Sequence, residues 1–532
     1  MGPPMGITRR AWLAAAAALP LAACDRRPPP GYAGGWVGAA HDRGHRLRES
    51  RSGALPPPAV QRRAGVLIVG AGVAGLACAR SLAARGIDDV HLLELEDTPG
   101  GNSRGHQLGG MRCPLGAHYL PLPGDEAHEV IDLLTELGVC RTEHGKRVYD
   151  ERFLCHSPQE RVFVHGQWQE GLLPFTEDAA TLDEYRRFSA DVTRLTRELG
   201  FSIPTFRSPW TAGHQALDAL TFAAWLDAQA YRSADLRTYL DYCCRDDYGA
   251  GLGQVSAWAG LHYFASRHGF HAPGEAADSR EGVLTWADGN AWLVERLAAP
   301  FRERTHGGQV VLRVSEGKSG VEVDAWNPRS AQMERWSAAQ VVMAVPLFIA
   351  VRLLSAPPAA LTEAAATLRY APWLVANLQL DAALDDPPGA APAWDNVIHG
   401  SALLGYVDAM HQSTRPHAGP TVLTSYWALG GDSAEQLRAQ RGRLLSEPWQ
   451  LWSEAVVNDL STAHPDLRDK LRQVDLMRYG HAMSVPSPGV RGHPALRALA
   501  EMRGKVRFAH ADLSGYSVFE EAFTHGHRAG LG

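Results

Sequence analysis

The chain has 532 residues, of which 45% are hydrophobic and 21% charged, and a formal net charge of -6. This length exceeds one ordinary domain and supplies two or three cores, and the composition excludes a fibrous or disordered chain. The negative balance leaves no electrostatic footprint for nucleic acid, so none is expected as a partner.

The first element is ITRRAWLAAAAALPLAAC, Ile7 to Cys24, in which Arg9 and Arg10 precede a short apolar run. That run is about half the length a membrane-spanning helix needs, so residues 1–24 read as an export signal peptide. The Thr-Arg-Arg-x-Trp-Leu order resembles a twin-arginine translocation signal, and Leu21-Ala22-Ala23-Cys24 resembles a lipoprotein box. The expectation is a lipid anchor at Cys24 on the periplasmic face of a bacterial membrane, with an ordinary cleavable signal as the alternative. Residues 25–63 are rich in Pro, Gly and Arg without apolar periodicity, and are expected to be a flexible linker. Six further cysteines show no CxxC spacing. They are expected to be free or buried thiols, with a Cys140–Cys155 bridge as the alternative, and no metal site is expected.

The folded body begins near residue 64. Val66 to Val69 is a buried-strand pattern, Val73 to Arg85 a helical one ended by Gly86, and Val90 to Leu95 a second strand. Within this β-α-β unit Gly70, Gly72 and Gly75 form GxGxxG, with Val73 and Ala74 opening the helix. Gly70 allows the tight turn, Gly72 lets the backbone approach a pyrophosphate, and Gly75 lets the helix pack close to the strand. Glu94, twenty-four residues after Gly70, is placed to accept hydrogen bonds from a ribose. The unit is expected to bind a dinucleotide, with a structural glycine turn in some other α/β protein as the alternative, and NAD and FAD both fit this much.

Beyond Glu94 the chain reads ELEDTPGGNSRG, with Gly100 and Gly101 six residues after the acid, and then LGGMRCPLGAHYLPL. Farther on come LTWADGNAWLVERLA, the segment QVVMAVPLFIAVRL, and KVRFAHADLSGYSVFEEAFTHGHRAG near the end. In this order the segments resemble the flavin amine oxidase superfamily. The resemblance implies FAD and an α/β fold: a discontinuous Rossmann-like FAD-binding domain from 64–150, 280–350 and 476–532. An α+β substrate domain would take 151–279 and 351–475. It also implies cofactor contacts from Gly100, Gly101, Asn102, Gly116, Ala117, His118, Asp512 and Phe519. The chain departs from the pattern at Asn102, which stands where the family has arginine, with Arg104 two residues on. It departs again at Asn290, at Asp512, one place late, and at Ala522, which replaces a glycine.

The resemblance implies oxidation of a small-molecule amine, or a similar C–H donor, by hydride transfer to flavin N5, with oxygen or a quinone as electron acceptor. Phe519, Tyr479 and His481 are the candidate substrate walls. The family's lysine near N5 falls at about Val375, and no lysine occurs between Lys318 and Lys470. That loss leaves room for a dehydrogenase. Asp246-Asp247 offers negative charge to a cationic amine, although paired acids at a helix end are also common on solvated surfaces. The alternatives are a flavin-dependent desaturase or isomerase of an apolar substrate, and a non-catalytic flavin-binding lipoprotein.

Overall fold

A computed structural model describes residues 31–49, 55–275, 282–385 and 389–532. The signal peptide expected over 1–24, with the lipidation expected at Cys24, lies outside the described residues. Within the segment expected to be a linker the structure differs. Ala33–Trp36 form strand β1 and His41–Glu49 form helix α1. Edge pairing needs backbone and close approach rather than apolar periodicity. At Gly34 a Cβ would stand 2.1 Å from Val474 O, so the missing side chain lets β1 run flush along its neighbour.

The first sheet is built on the expected β-α-β unit: β2 (Val60–Val69), α2 (Val73–Ala84) and β3 (Val90–Glu94). β2 starts at Val60 rather than Val66, because its polar outer half pairs in parallel with Glu334–Ala338 while only its inner half enters the core. The strand order is Thr305–Gly307, β3, β2, Gln332–Met343, Val321–Asn327 and Val310–Glu316, with Val506–Phe508 also paired to Gln332–Met343. Both ends of the chain therefore build one sheet.

The second sheet has eight strands. β1 pairs with β5 (Leu471–Ser484), which pairs with β4 (Tyr370–Leu380). Thr421–Ala428, Tyr406–Asp408, Asp395–Ile398, Glu160–Val164 and Gln167–Glu170 follow. The domain boundary expected at 476 falls inside β5, and the helix Ala359–Thr367 buries Leu361 and Ala364 against the first sheet instead of the second. Hydrophobic pattern locates elements; it does not say which sheet a strand will join.

A helical cover spans residues 180–268 as expected, and includes α3 (Ala234–Tyr248) and α4 (Ala257–Tyr263), which runs on into a π-helical turn, Phe264–His268. The last helix, α5 (Phe519–Leu531), lies along α2. Glycines make that approach possible: a Cβ at Gly526 would come within 2.0 Å of Ala74 O, and one at Gly530 within 2.8 Å of Cys78 O. Among the described residues all six cysteines are free thiols, and no helix is long and apolar enough to cross a membrane.

Candidate active site

A cavity of about 520 Å3 is lined by residues of both sheets, the helical cover and the start of α5. One end is the glycine turn. Gly70 has φ +101°, and a Cβ there would meet Ala344 O at 2.4 Å. Gly75 faces away from the cavity, where its Cβ would collide with Gly70 O at 2.0 Å, so its role is to seat α2 on the strand. The loop after β3 returns Gly100 (φ +130°) and Gly101 (φ +57°), and a Cβ on Gly101 would sit 3.4 Å from the Gly72 Cα. Two side-chain-free loops thus face each other beside the N-terminus of α2, where helix amides and dipole favour phosphate.

Glu94 closes this end, buried at 7% exposure. Its carboxylate accepts from Ala71 N at 2.8 Å and Glu96 N at 2.9 Å. Burial pushes its pKa up, and the two amides only partly offset that. Each oxygen keeps a second lone pair for a ligand hydroxyl. Gln309 Oε1 on the same wall is buried without a hydrogen-bond partner, as is Asn290 Oδ1 farther along, while Asp512 Oδ1 lies 3.3 Å from His510 Nδ1. Buried polar atoms in native proteins are rarely left unsatisfied, so Gln309 Oε1 and Asn290 Oδ1 mark places where a bound polar group completes the structure. The residues present fit a dinucleotide.

The middle of the cavity is the run from Asn102 to His118. Ala117 N donates to Asn102 O at 2.8 Å, and a Cβ at Gly116 would stand 2.2 Å from that same oxygen, so the glycine is required. Asn102 Nδ2 donates to Ala482 O at 2.6 Å. Arg104, two places beyond the expected arginine position, does not line the cavity and donates to Gly38 O at 2.7 Å. Asp512 reaches the cavity wall despite its shifted position, and its Oδ2 accepts from Leu347 N at 2.9 Å and Tyr370 OH at 2.5 Å.

The far end is aromatic and acidic. His118 stacks on Tyr426 at 4.4 Å, and burial lowers its pKa to about 3, so the ring is neutral. Tyr426 OH donates to Gly116 O and Tyr479 OH to Leu115 O, which holds both rings against the wall. Val375, buried in β4, lines the cavity directly opposite Tyr426 in strand register. His481 stacks on Phe348 at 4.5 Å and Phe519 on Phe523 at 5.9 Å. The three candidate wall residues therefore all border the cavity, together with Gly70, Gly72, Val73, Ala74, Glu94, Gly100, Gly101, Asn102, Gly116, Ala117, His118 and Asp512. Gly75 alone among the expected residues does not.

Asp246 and Asp247 also line the cavity. Ser233 caps the start of α3, accepting from Leu236 N, and the left-handed Gly249 ends it. A Cβ at Gly249 would meet Ala371 Cβ at 2.6 Å, so this glycine lets the last turn of α3 dock on β4 and turn the acid pair inward. Arg267 enters from the π-helical turn, and its guanidinium pairs with Glu520 and lies 3.4 Å from Asp247. Burial, then the charge of Asp247, raises Asp246 to about 7. Burial also raises Glu160 to about 7 and Asp395 well above the usual carboxylate range; Asp246 and Glu160 push Asp395 higher.

Arg267, Glu520, Trp373, Tyr119 and Tyr426 were not legible as site residues. Arg267 carried one signal, its place at the end of an amphipathic segment, but a single inserted residue in the helical turn decides where it points.

A family model for flavin containing amine oxidoreductases matches residues 73–530. No curated protein matches the sequence. Among solved structures the chain is similar to putrescine oxidase with putrescine bound, at TM-score 0.64 and 18% identity over 88% of this chain and 99% of that one. It is similar to cyclohexylamine oxidase from Brevibacterium oxydans IH-35A, at TM-score 0.63 and 20% identity over 89% and 98% of the two chains. It also resembles a fatty acid isomerase from P. acnes that produces CLA, at TM-score 0.57 and 14% identity over 87% and 97%. At these identities the structural likeness speaks for the fold, and the family model for the activity. The chain belongs to the flavin-containing amine oxidoreductase family and is an FAD-dependent oxidoreductase with the amine oxidase fold.

Proposed function

We propose that the enzyme oxidises an amine that enters as a cation and carries no carboxylate. One observation carries this reading: the acids Asp246, Asp247 and Glu520 line the cavity with Arg267, whose guanidinium pairs with Asp247 and Glu520. Isolated buried carboxylates are costly, and a substrate ammonium would relieve that cost. Arg267 already engages two carboxylates, so a substrate carboxylate would meet a region whose charge is negative. The same charge works against an anionic or wholly apolar substrate, which disfavours the desaturase and isomerase readings. A carboxyl near 7, as at Asp246, suits a group that attracts an ammonium and accepts its proton.

Bound FAD supplies the two-electron acceptor for this reaction. Gly70, Gly72, Gly100 and Gly101 would hold its pyrophosphate and Glu94 its ribose, with the orphaned oxygens of Gln309 and Asn290, and the Asp512 carboxylate, meeting polar groups along its length. Tyr479, Tyr426, Trp373, His481 and Phe519 would wall the reacting end. Val375 on that wall, where the family resemblance places a lysine, supports a quinone rather than oxygen as electron acceptor. We further propose twin-arginine export and lipid anchoring at Cys24, on the motif alone.

Anaerobic mixing of the holoenzyme with a diamine, a cyclic monoamine, an amino acid and an unsaturated fatty acid tests the substrate class. Bleaching of the flavin absorbance by the amines is the expected result. Bleaching by the amino acid or the fatty acid, with none from the amines, would overturn the reading.

A further inference from the structure

The N-terminal segment is folded across the glutamate end of the cavity, and Arg43, Gly44 and Leu47 of α1 line it beside Glu94, Gln309, Val310 and Val311. It is fastened at both ends. β1 pairs in parallel with Gln473–Leu476 of β5, a register that Gly34 alone permits. The turn after it, at Gly38 with φ +82°, accepts from Arg104. Ala40 N donates to the Glu96 carboxylate at 3.0 Å. Arg43 donates to Leu95 O at 3.0 Å and to both oxygens of Asp97 at 3.0 and 3.1 Å. The Arg46 guanidinium lies 4.1 Å over Trp326, and Leu47 is buried in the core of the first sheet. Leu95, Glu96 and Asp97 are the residues directly after Glu94, so the segment is bolted to the loop that carries the ribose-binding acid.

We infer that residues 33–47 are the outer wall of the adenosine half of the FAD site and set the rate at which FAD leaves. The glycine loops and Glu94 line that half-site from the first sheet, while Gly44 and Leu47 line it from α1. Departure of the adenosine past them requires the strap to lift, which breaks the Arg43, Ala40 and Arg104 bonds together. This inference depends on FAD being the cofactor and not on which substrate is oxidised.

The test is the rate of FAD release from purified holoenzyme, followed as flavin fluorescence appearing after large dilution. Gly34→Val strikes the anchor far from the cavity, and Leu47→Asp strikes the wall itself. Each is expected to speed release at least tenfold. Leu361→Ala, a buried core change that does not line the cavity, controls for general loss of stability. Release within twofold of the unaltered enzyme in both strap variants overturns the inference, as does an equal acceleration by Leu361→Ala at matched loss of melting temperature. Should Gly34→Val yield no soluble protein, Arg43→Gln takes its place and is held to the same criterion. A full-length protein that retains no FAD after incubation with excess cofactor overturns the cofactor assignment instead.

Discussion

Arg267 Nη2 stands 2.9 and 2.7 Å from the two carboxylate oxygens of Glu520, and both side chains are almost completely buried. Arg267 comes from the helical cover and Glu520 from the first turn of α5, so this pair joins the substrate side of the cavity to the helix that borders the cofactor. Removing one partner of a buried pair leaves the other charge unpaired, which typically costs about 3–5 kcal/mol. Arg267→Ala is expected to lower the melting temperature sharply. The double variant Arg267→Ala/Glu520→Ala should lose much less than the sum of the two singles, as a double-mutant cycle by thermal denaturation would show. Additive losses would mean that the two groups act independently.

On the proposed reading, Asp246 links substrate binding to pH. Its folded-state pKa of about 7 lies above the ordinary aspartate value, so the folded protein binds a proton that the unfolded chain has released. Its contribution to stability is accordingly largest at low pH and falls as pH rises from about 4 to 7. Asp246→Asn removes that loss, and the variant is expected to melt higher than the parent by about 1–3 °C at pH 8, with little difference near pH 4. Charge attraction runs the other way: KM for a cationic amine should fall as pH rises through 7 in the parent. In Asp246→Asn it should be about tenfold higher at pH 8 and lose that pH dependence. A KM unchanged by the substitution would remove Asp246 from the site.

Val375 tests the choice of electron acceptor. The side chain is buried on the cavity wall, with 1% exposure, and faces Tyr426 across the strand pair. Val375→Lys is expected to accelerate reoxidation of the reduced flavin by oxygen about tenfold in stopped-flow measurements, with peroxide as product. A buried ammonium carries a desolvation cost, so a lower melting temperature should accompany the change. Rapid oxygen reoxidation of the unaltered enzyme would show that Val375 does not limit that reaction.

The seam between α2 and α5 is built on missing side chains. At Gly526 a Cβ would lie 2.0 Å from Ala74 O, a backbone atom that cannot rotate away. Gly526→Val is expected to displace α5, cost about 1–3 kcal/mol by overpacking, and weaken FAD retention, because Phe519, Glu520 and Ala522 on the same helix line the cavity. Thermal denaturation and the flavin absorbance kept through gel filtration measure the two effects. Full retention of flavin in a destabilised variant would separate the seam from the site.

The sequence by itself determined the dinucleotide half of the protein. Gly70, Gly72, Glu94, Gly100 and Gly101 are read from spacing because each answers a local backbone demand, a turn, a close approach or a strand end, within about thirty residues of chain. The family pattern at both chain ends likewise placed Asp512 and Phe519 on the cavity wall. Tertiary structure decided the rest. Asp246 and Asp247 look like a solvated helix end until Gly249 docks α3 on β4, and only burial gives their charge its force. Residues 33–47 have the composition of a linker, yet parallel pairing to β5 and the bonds to Leu95, Glu96 and Asp97 fold them over the cofactor end. In both cases the controlling partner lies tens or hundreds of residues away, and the interaction depends on desolvation and backbone geometry, which no local residue pattern encodes.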